Sequence, residues 1–154
     1  MIVYRLSKKQ WAKDLTGTGA WLNSGRWNKL ETAMVYTSIN VALALLEITV
    51  HIPPGMVPTD YELVTISVPD TIASQSIELH NLREDWSEDA SIKYTQELGD
   101  SFINNKEAAL LKVPSAIVFE EHNILLNPLH PDFKEVQLID IQPFRFDRRL
   151  FMRR

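Results

Sequence analysis

The chain contains, at residues 34–50, the stretch MVYTSINVALALLEITV, in which a predicted strand passes directly into a predicted helix. The strand covers Met34 to Thr37, and Ser38 is a suitable N-cap for a helix from Ile39 to about Val50. Glu47 is thereby placed late in this helix among apolar neighbours. Carboxylates in such surroundings are rarely buried unless they are paired or functional, so Glu47 is the first candidate for a functional side chain.

The remaining predicted elements are short strands and one further helix. Strands are predicted from β-branched or alternating residues at Ile2–Leu6, Tyr61–Val68, Ile77–Leu79 and Val136–Ile141. Apolar spacing between Ser87 and Asn105 predicts an amphipathic helix, which Gly99 weakens. The apolar runs Ala109–Val113 and Ala116–Phe119 predict a buried pair of strands flanking a bend. Scattered strands with two or three helices favour an α+β fold.

Length and composition describe one globular domain. A chain of 154 residues removes roughly two-thirds of its unfolded surface from water, and 45% hydrophobic with 23% charged residues is typical of a soluble protein. The longest apolar stretch, Val41 to Leu46, is far too short to cross a bilayer. The N-terminus lacks the pattern of a secretory signal, so a cytoplasmic location is expected. The absence of cysteine excludes disulfides, thiolate nucleophiles and cysteine-based metal sites.

The charge is unevenly distributed along the chain. A formal net charge of -4 argues against a surface built as a whole to bind nucleic acid. Five of the 16 Lys and Arg residues nevertheless lie in the last ten positions, namely Arg145, Arg148, Arg149, Arg153 and Arg154. A solvated tail is the simpler interpretation of this basic end. The alternative is a contact for an acidic partner surface or for DNA held by a partner.

Two arginines are candidates for binding an anion. Arg26 follows a glycine, so its guanidinium emerges from a turn that can approach a ligand closely, and a planar fork of donors suits a diphosphate. A surface arginine stacked on Trp27 is the equally weighted alternative. Arg5 stands on the first predicted strand between Tyr4 and Leu6. A charge there must be paired or must face a cleft, because an unpaired buried cation is very costly.

The other candidate side chains each have a structural alternative. Tyr36 offers a ring for stacking and a hydroxyl, although a core tyrosine is the commoner fate. Glu47 on the solvated face of its helix is as well supported as a functional Glu47. Ser115 and Asn127 stand beside prolines, where turn roles are the default. The four histidines show no spacing typical of metal ligands, and no metal site is predicted.

Several short motifs follow one another along nearly the whole chain. They are Tyr4-Arg5, Ser24-Gly25-Arg26-Trp27-Asn28, Val35-Tyr36-Thr37-Ser38, Leu45-Leu46-Glu47, Val113-Pro114-Ser115-Ala116 and Asn127-Pro128-Leu129-His130-Pro131, with Trp86, Gly99 and Phe102 in addition. Together they resemble the RES-domain family, named for its Arg, Glu and Ser, and residues 1–154 are interpreted as one RES domain. Ser24 departs from the family, whose members often carry a second glycine there.

The resemblance implies a fold and a set of roles. Its members are toxins of bacterial Xre–RES type II toxin–antitoxin systems, with an ADP-ribosyltransferase-like fold in which a split mixed β core with flanking helices binds NAD. The resemblance implies that Glu47 is the catalytic carboxylate, with Arg5, Tyr36 and Ser115 in the catalytic set. It implies NAD binding by Tyr4, Arg5, Arg26, Tyr36 and Asn127. NAD is then a substrate, and no cofactor is expected.

The chemistry agrees with these residue types, because a carboxylate can stabilise the oxocarbenium-like ribose left when neutral nicotinamide departs. Water as acceptor gives hydrolysis, inorganic phosphate gives phosphorolysis, and a protein side chain gives ADP-ribosylation. Degradation of NAD that arrests growth is the leading hypothesis. Mono-ADP-ribosylation of a cellular protein and a non-enzymatic binding module are the alternatives.

A partner is also implied, because an NAD-degrading enzyme would harm its own cell. The resemblance implies an Xre-type antitoxin that covers the cleft, with the basic C-terminal end as a candidate contact. A homodimer within the complex and an indirect link to DNA through the antitoxin are further expectations. No membrane association is expected.

Overall fold

Seven strands form one mixed sheet in the computed structural model, which describes residues 1–152. The strands are β1 (Ile2–Lys8), β2 (Val35–Ser38), β3 (Tyr61–Ser67), β4 (Ser74–Ser76), β5 (Leu110–Pro114), β6 (His122–Leu126) and β7 (Gln137–Phe144). The α-helices are α1 (Thr18–Leu22), α2 (Val41–Thr49) and α3 (Ile92–Asn105). The strand order is β4-β5-β6-β2-β1-β3-β7, and only β4 and β5 run parallel. The predicted α+β class is confirmed.

The sheet is nearly divided between β1 and β2. Strand β1 pairs with β3 from Ile2↔Ser67 to Lys8↔Tyr61, whereas β1 and β2 share the single pair Tyr4↔Ser38. Because one pair cannot hold two strands side by side along their length, the halves β4-β5-β6-β2 and β1-β3-β7 separate on either side of it. The cleft described below opens at this division.

Both faces of the sheet are covered, and this explains the continuous apolar runs in β5 and β6. Alternate residues of a strand point to opposite faces. Leu110 and Leu126 therefore join one core cluster with Val64 and Ile66. Their neighbours Leu111, Val113 and Leu125 join a second cluster, in which Phe102 and Ile103 of α3 cover the other face.

The helix that carries Glu47 begins two residues later than predicted. Asn40, and not Ser38, is its N-cap, because the Asn40 side chain accepts a hydrogen bond from the Leu43 N–H at 2.8 Å. Ser38 is the last residue of β2, and its hydroxyl is used by a neighbouring strand. Both residue types are good caps, so local preference could not distinguish them.

The prediction for residues 109–126 is half wrong. Strand β5 is present, but Ala116–Phe119 is a turn, because the backbone N–H groups of Ile117 and Val118 bond to the Ser115 hydroxyl rather than to a strand. The partner of β5 is β6, for which no strand is predicted from the sequence. Such side-chain hydrogen bonds compete with strand pairing, and apolar composition does not reveal them.

Three smaller differences concern short elements. The strand predicted at Ile77–Leu79 lies earlier, at β4, and Leu79–Asn81 forms a turn of 3-10 helix. Helix α1 lies in a glycine-bearing region for which no helix is predicted. Strand β7 continues through Pro143, which an edge strand tolerates because its outer side has no partner. Within residues 1–152, none of the helices has both the length and the apolar character needed to cross a membrane.

The basic end is described in part. Arg145, Arg148 and Arg149 are exposed, and Arg149 pairs with Asp147 at 2.7 Å. Arg153 and Arg154 lie outside the described residues. The prediction that this end contacts a partner therefore stays a prediction.

Candidate active site

A cleft of about 230 Å³ lies where the two halves of the sheet separate. Strands β1 and β2, helix α2 and the loop between β1 and α1 form its walls. Four of the predicted site residues line it together, and they are Tyr4, Arg5, Tyr36 and Glu47. The structure thus brings these four residues around one hollow, whereas the predicted site residues Arg26, Ser115 and Asn127 do not line it.

Glu47 projects from α2 and is held by two donors from the β5–β6 side of the cleft. Its Oε1 accepts a hydrogen bond from the Ser115 hydroxyl at 2.8 Å and another from the Asn123 side-chain amide. Among residues 1–152, no group donates a hydrogen bond to Oε2 of Glu47. One carboxylate oxygen is thus fixed by the protein, and the other is available to a ligand in the cleft.

Ser115 supports Glu47 and does not itself line the cleft. The residue is fully buried. Its hydroxyl donates to Glu47 and accepts from the backbone N–H groups of Ile117 and Val118, each at 3.1 Å. One donor and two lone pairs are all that a serine hydroxyl has, so none is left for substrate. This geometry favours a role for Ser115 in orienting the carboxylate.

Arg5 brings the positive charge of the cleft. Its Nη2 donates to the carbonyl oxygens of Trp11 at 2.6 Å and Asp14 at 2.7 Å, which hold the side chain in place. Its buried Nε has no protein partner. Burial lowers the pKa of the Arg5 guanidinium, an effect that the nearby Asp14 carboxylate opposes. A buried donor without a partner is costly. Arg5 lines the cleft, so its charge can attract an anionic group there.

Tyr36 contributes its ring rather than its hydroxyl. The hydroxyl donates to Asn28 Oδ1 at 2.8 Å and accepts the Trp27 backbone N–H at 3.0 Å. Burial raises the pKa of Tyr36 well above its ordinary value, so the phenol is neutral under ordinary conditions. With the hydroxyl engaged in this way, the ring is the part of Tyr36 available to a planar ligand.

Two predicted binding residues lie outside the cleft lining. Arg26 donates to the Trp86 carbonyl oxygen at 3.1 Å and lies 3.7 Å from the Asp89 carboxylate. Asn127 is fully buried, where its amide nitrogen donates to the carbonyl oxygen of Ile103 at 3.1 Å. Its Oδ1 accepts the Leu129 N–H. In this structure Arg26 and Asn127 hold neighbouring segments together.

Helix α3 holds the loop on which Tyr36 depends. Gln96 Nε2 donates to the Gly25 carbonyl oxygen at 2.9 Å, and Thr95 Oγ1 donates to that of Arg26 at 2.6 Å. At Gly99 the helix backbone touches the loop so closely that a Cβ would lie 1.8 Å from the Trp27 carbonyl oxygen. The glycine that weakened the helix prediction is therefore required by packing.

Asn123 and Asp14 are cleft residues that sequence reasoning missed. The signal available for Asn123 was its position one residue before an apolar run, which equally indicates a turn. Asp14 belongs to the loop between β1 and α1, and its carbonyl oxygen accepts a hydrogen bond from Arg5. Residues 1–152 contain no group of three or more His, Cys, Asp or Glu side chains arranged to hold a metal ion.

Comparison with known proteins gives a consistent result. A family model described as the RES domain matches residues 2–147. The chain is 38% identical to a Sphingobium protein named Prs ADP-ribosylating toxin, over 90% of this chain and 88% of that one. It is also 38% identical to Toxin Res of Pseudomonas putida, over 98% and 100% of the two chains, and 34% identical to Toxin Res of Photorhabdus laumondii, over 97% of each.

Among solved structures, the fold is similar to that of a chain in the M. tuberculosis MbcT–MbcA toxin–antitoxin complex. The TM-score is 0.72, and the match covers 97% of this chain and 86% of that chain at 18% sequence identity. At this identity the likeness concerns the fold.

Proposed function

The chain belongs to the RES domain family, and we propose that it is the toxin of a toxin–antitoxin pair and cleaves the nicotinamide–ribose bond of NAD. The observation that carries this proposal is the Glu47 carboxylate, fixed through Oε1 and open at Oε2, in one cleft with Arg5. The names of the relatives support the toxin assignment.

The proposed chemistry divides the work between the two side chains. The bond between ribose C1 and the nicotinamide nitrogen breaks, and its electron pair leaves with nicotinamide, which becomes neutral. Glu47 stabilises the positive charge that develops on the ribose. Arg5 binds an anionic part of the dinucleotide, and the ring of Tyr36 packs against the nicotinamide. The acceptor oxygen then bonds to C1 and releases its proton.

This proposal distinguishes two outcomes, which depend on the acceptor. Transfer to water or inorganic phosphate degrades NAD, and this is the first candidate because the cleft geometry requires no further macromolecule. Transfer to a protein side chain is the second candidate. It is favoured by the name of the Sphingobium relative, which is called an ADP-ribosylating toxin.

An antitoxin partner is part of the same proposal. The solved structure with a similar fold is titled as a toxin–antitoxin complex. We expect a partner of Xre type that covers the cleft and supplies the only link to DNA, and a toxin homodimer within that complex. Action in the bacterial cytoplasm, on NAD and without a membrane, follows from these roles.

The test is incubation of the purified protein with NAD labelled in its adenine ring. Parallel reactions contain buffer, inorganic phosphate or an extract of susceptible cells. Free nicotinamide with ADP-ribose indicates hydrolysis, and a phosphorylated ADP-ribose made only with phosphate indicates phosphorolysis. Label attached to a protein indicates ADP-ribosylation. If NAD persists and no nicotinamide appears in any reaction, cleavage of NAD is wrong.

A further inference from the structure

Asn123 is joined to the candidate catalytic carboxylate by a contact that no sequence motif indicated. The residue is the second of β6, and it is paired with Val113 of β5 on one side and with Ser38 of β2 on the other. Its side chain lines the cleft. Its amide nitrogen donates to the same Oε1 of Glu47 that accepts the Ser115 hydroxyl.

The orientation of this amide is set by a second hydrogen bond. The hydroxyl of Ser38, which is almost fully buried, donates to Asn123 Oδ1 at 2.7 Å. Because an amide has its acceptor on one side and its donors on the other, that bond directs the NH₂ group toward Glu47. Reversal of the amide would place two oxygens against each other and leave the Ser38 donor without an acceptor.

Glu47 needs such a constraint because α2 alone does not provide one. A glutamate side chain has three rotatable bonds, and Glu47 is only half-buried on a helix of nine residues. Two donors on one oxygen, both from the β5–β6 side of the cleft, restrict the carboxylate to one orientation. A carboxylate that is already oriented stabilises a developing charge without reorganisation.

We propose that Asn123, oriented by Ser38, is a positioning residue that holds the Glu47 carboxylate in the orientation required for bond cleavage. This inference rests on the proposed function. Asn123 acts through Glu47, and its effect belongs to the chemical step rather than to substrate binding. Ser38, Asn123, Glu47 and Ser115 are then joined by hydrogen bonds, which link β2, β6, α2 and the turn after β5.

The first test is Asn123→Ala, assayed by nicotinamide release. Loss of one hydrogen bond to a charged group predicts a decrease in kcat of roughly 10- to 100-fold, with little change in KM. Ser38→Ala should cause a smaller decrease, because the amide keeps its donor but loses its orientation. The matched control is Gln75→Ala, which removes an amide donor from the surface carboxylate of Glu107. An Asn123→Ala enzyme with wild-type kcat would overturn the proposal.

The second test separates positioning from packing and uses Asn123→Asp, which preserves the side-chain volume. Two carboxyl groups at hydrogen-bond distance can share one proton between them. The pair keeps this proton up to a higher pH than a single carboxyl group would keep its own proton. While the proton is shared, the introduced group can still donate to Glu47. The ratio of variant to wild-type kcat should therefore fall as pH rises. A ratio that is independent of pH would show that Asn123 only fills space.

The other ionisable groups that line the cleft are the same in the wild type and in Asn123→Asp. They are Tyr4 and Arg5 on β1, Asp14 on the following loop and Tyr36 on β2. Because their titration contributes to both profiles, it cancels in the ratio of kcat values.

A third measurement keeps the inference separate from the proposed function. The Glu47 side-chain carboxyl carbon, assigned by NMR, is followed with pH in wild type and Asn123→Asp. A different titration of this resonance in the variant supports the contact, and identical titrations overturn it. If the wild type releases no nicotinamide, only the proposed function fails, because the resonance still reports whether Asn123 acts on the carboxylate.

Discussion

At the scale of single residues, the site consists of a few polar groups whose hydrogen bonds are already arranged. Glu47 has one oxygen held by Ser115 and Asn123, and among residues 1–152 the buried Nε of Arg5 has no partner. Tyr36, in contrast, uses its hydroxyl within the protein. Substitutions of these residues should therefore separate effects on chemistry from effects on stability.

Glu47→Gln should reduce nicotinamide release by about 10²- to 10³-fold, because it removes the charge that stabilises the developing positive ribose. The shape of the side chain is retained, so the thermal unfolding midpoint should change little. Relief of growth arrest in cells that express the variant is the second readout. Glu107→Gln, at an exposed position, is the matched control. A folded Glu47→Gln protein that remains toxic would favour the non-enzymatic binding module.

Tyr36→Phe should lower the free energy of unfolding by about 1–3 kcal/mol, because it leaves Asn28 Oδ1 and the Trp27 N–H without a partner. The ring is retained, so kcat should remain close to that of the wild type. Chemical denaturation measures the first effect and nicotinamide release the second. A large loss of kcat in a stably folded variant would instead assign the hydroxyl to the chemical step.

The same variant should also change how stability depends on alkaline pH. Burial raises the pKa of Tyr36 in the folded state above the value of about 10 expected for an unfolded chain. The folded protein then holds this proton more tightly, so its contribution to stability is complete below the unfolded pKa and is lost as pH rises from that value through the higher folded pKa. The unfolding free energy of Tyr36→Phe should decline less steeply in this range. Tyr94→Phe, at a tyrosine whose hydroxyl bonds to no other group in residues 1–152, should keep the wild-type slope.

At the scale of elements, α3 supports the site without touching the cleft. Its Thr95 and Gln96 side chains hold the carbonyl groups of the loop at residues 25–26, and this loop in turn binds the Tyr36 hydroxyl. Gly99 allows the helix backbone and the loop to meet. A change on the loop-facing side of this helix should therefore reach the cleft through the loop.

Gly99→Ala should lower the free energy of unfolding by about 2 kcal/mol or more, because the added Cβ cannot occupy a position 1.8 Å from the Trp27 carbonyl oxygen. Gly19→Ala provides the matched control. A Cβ at Gly19, within α1, would meet no atom within 4 Å, and alanine there should stabilise the protein by about 0.5–1 kcal/mol. Denaturant unfolding of both variants measures the difference. Equal stabilities would show that α3 moves away from the loop at little cost.

At the scale of the whole molecule, the cleft depends on the division of the sheet. Arg5 belongs to the half β1-β3-β7, whereas Tyr36 belongs to the half that contains β2. The two halves share the single pair Tyr4↔Ser38. A ligand that contacts both should therefore strengthen their association as well as fill the cleft.

NAD at about 100 times its dissociation constant should stabilise the folded state by about 2.7 kcal/mol, which raises the unfolding midpoint by on the order of 5–10 °C. Glu47→Gln protein is used so that NAD is not consumed. Adding Arg5→Met to this protein should remove most of the shift, because the cleft then lacks its cation. Adding Arg149→Met instead, at an exposed arginine paired with Asp147, should retain it. Equal shifts of the unfolding midpoint in both double variants would show that Arg5 does not contribute to NAD binding.

Much of the architecture follows from local sequence patterns. Alternating and β-branched residues predicted β1, β2, β3, β5 and β7 at nearly their observed places, and apolar spacing predicted α2 and α3. The segments that were mispredicted depend on hydrogen bonds made by side chains. Ser115 converts residues 116–119 into a turn, and Asn40 displaces Ser38 as the cap of α2.

Residue type made Arg5, Tyr36 and Glu47 candidates, because a charged or aromatic group in an apolar segment needs a reason to be there. The roles expected of them, and of Tyr4, came from the resemblance to the RES-domain family. The orientation of the carboxylate depends on the tertiary structure. Glu47 is separated along the chain by 68 residues from Ser115 and by 76 from Asn123. Whether such groups meet depends on which strands become neighbours in the sheet. Local patterns encode the periodicity of each strand, but not the partner beside it.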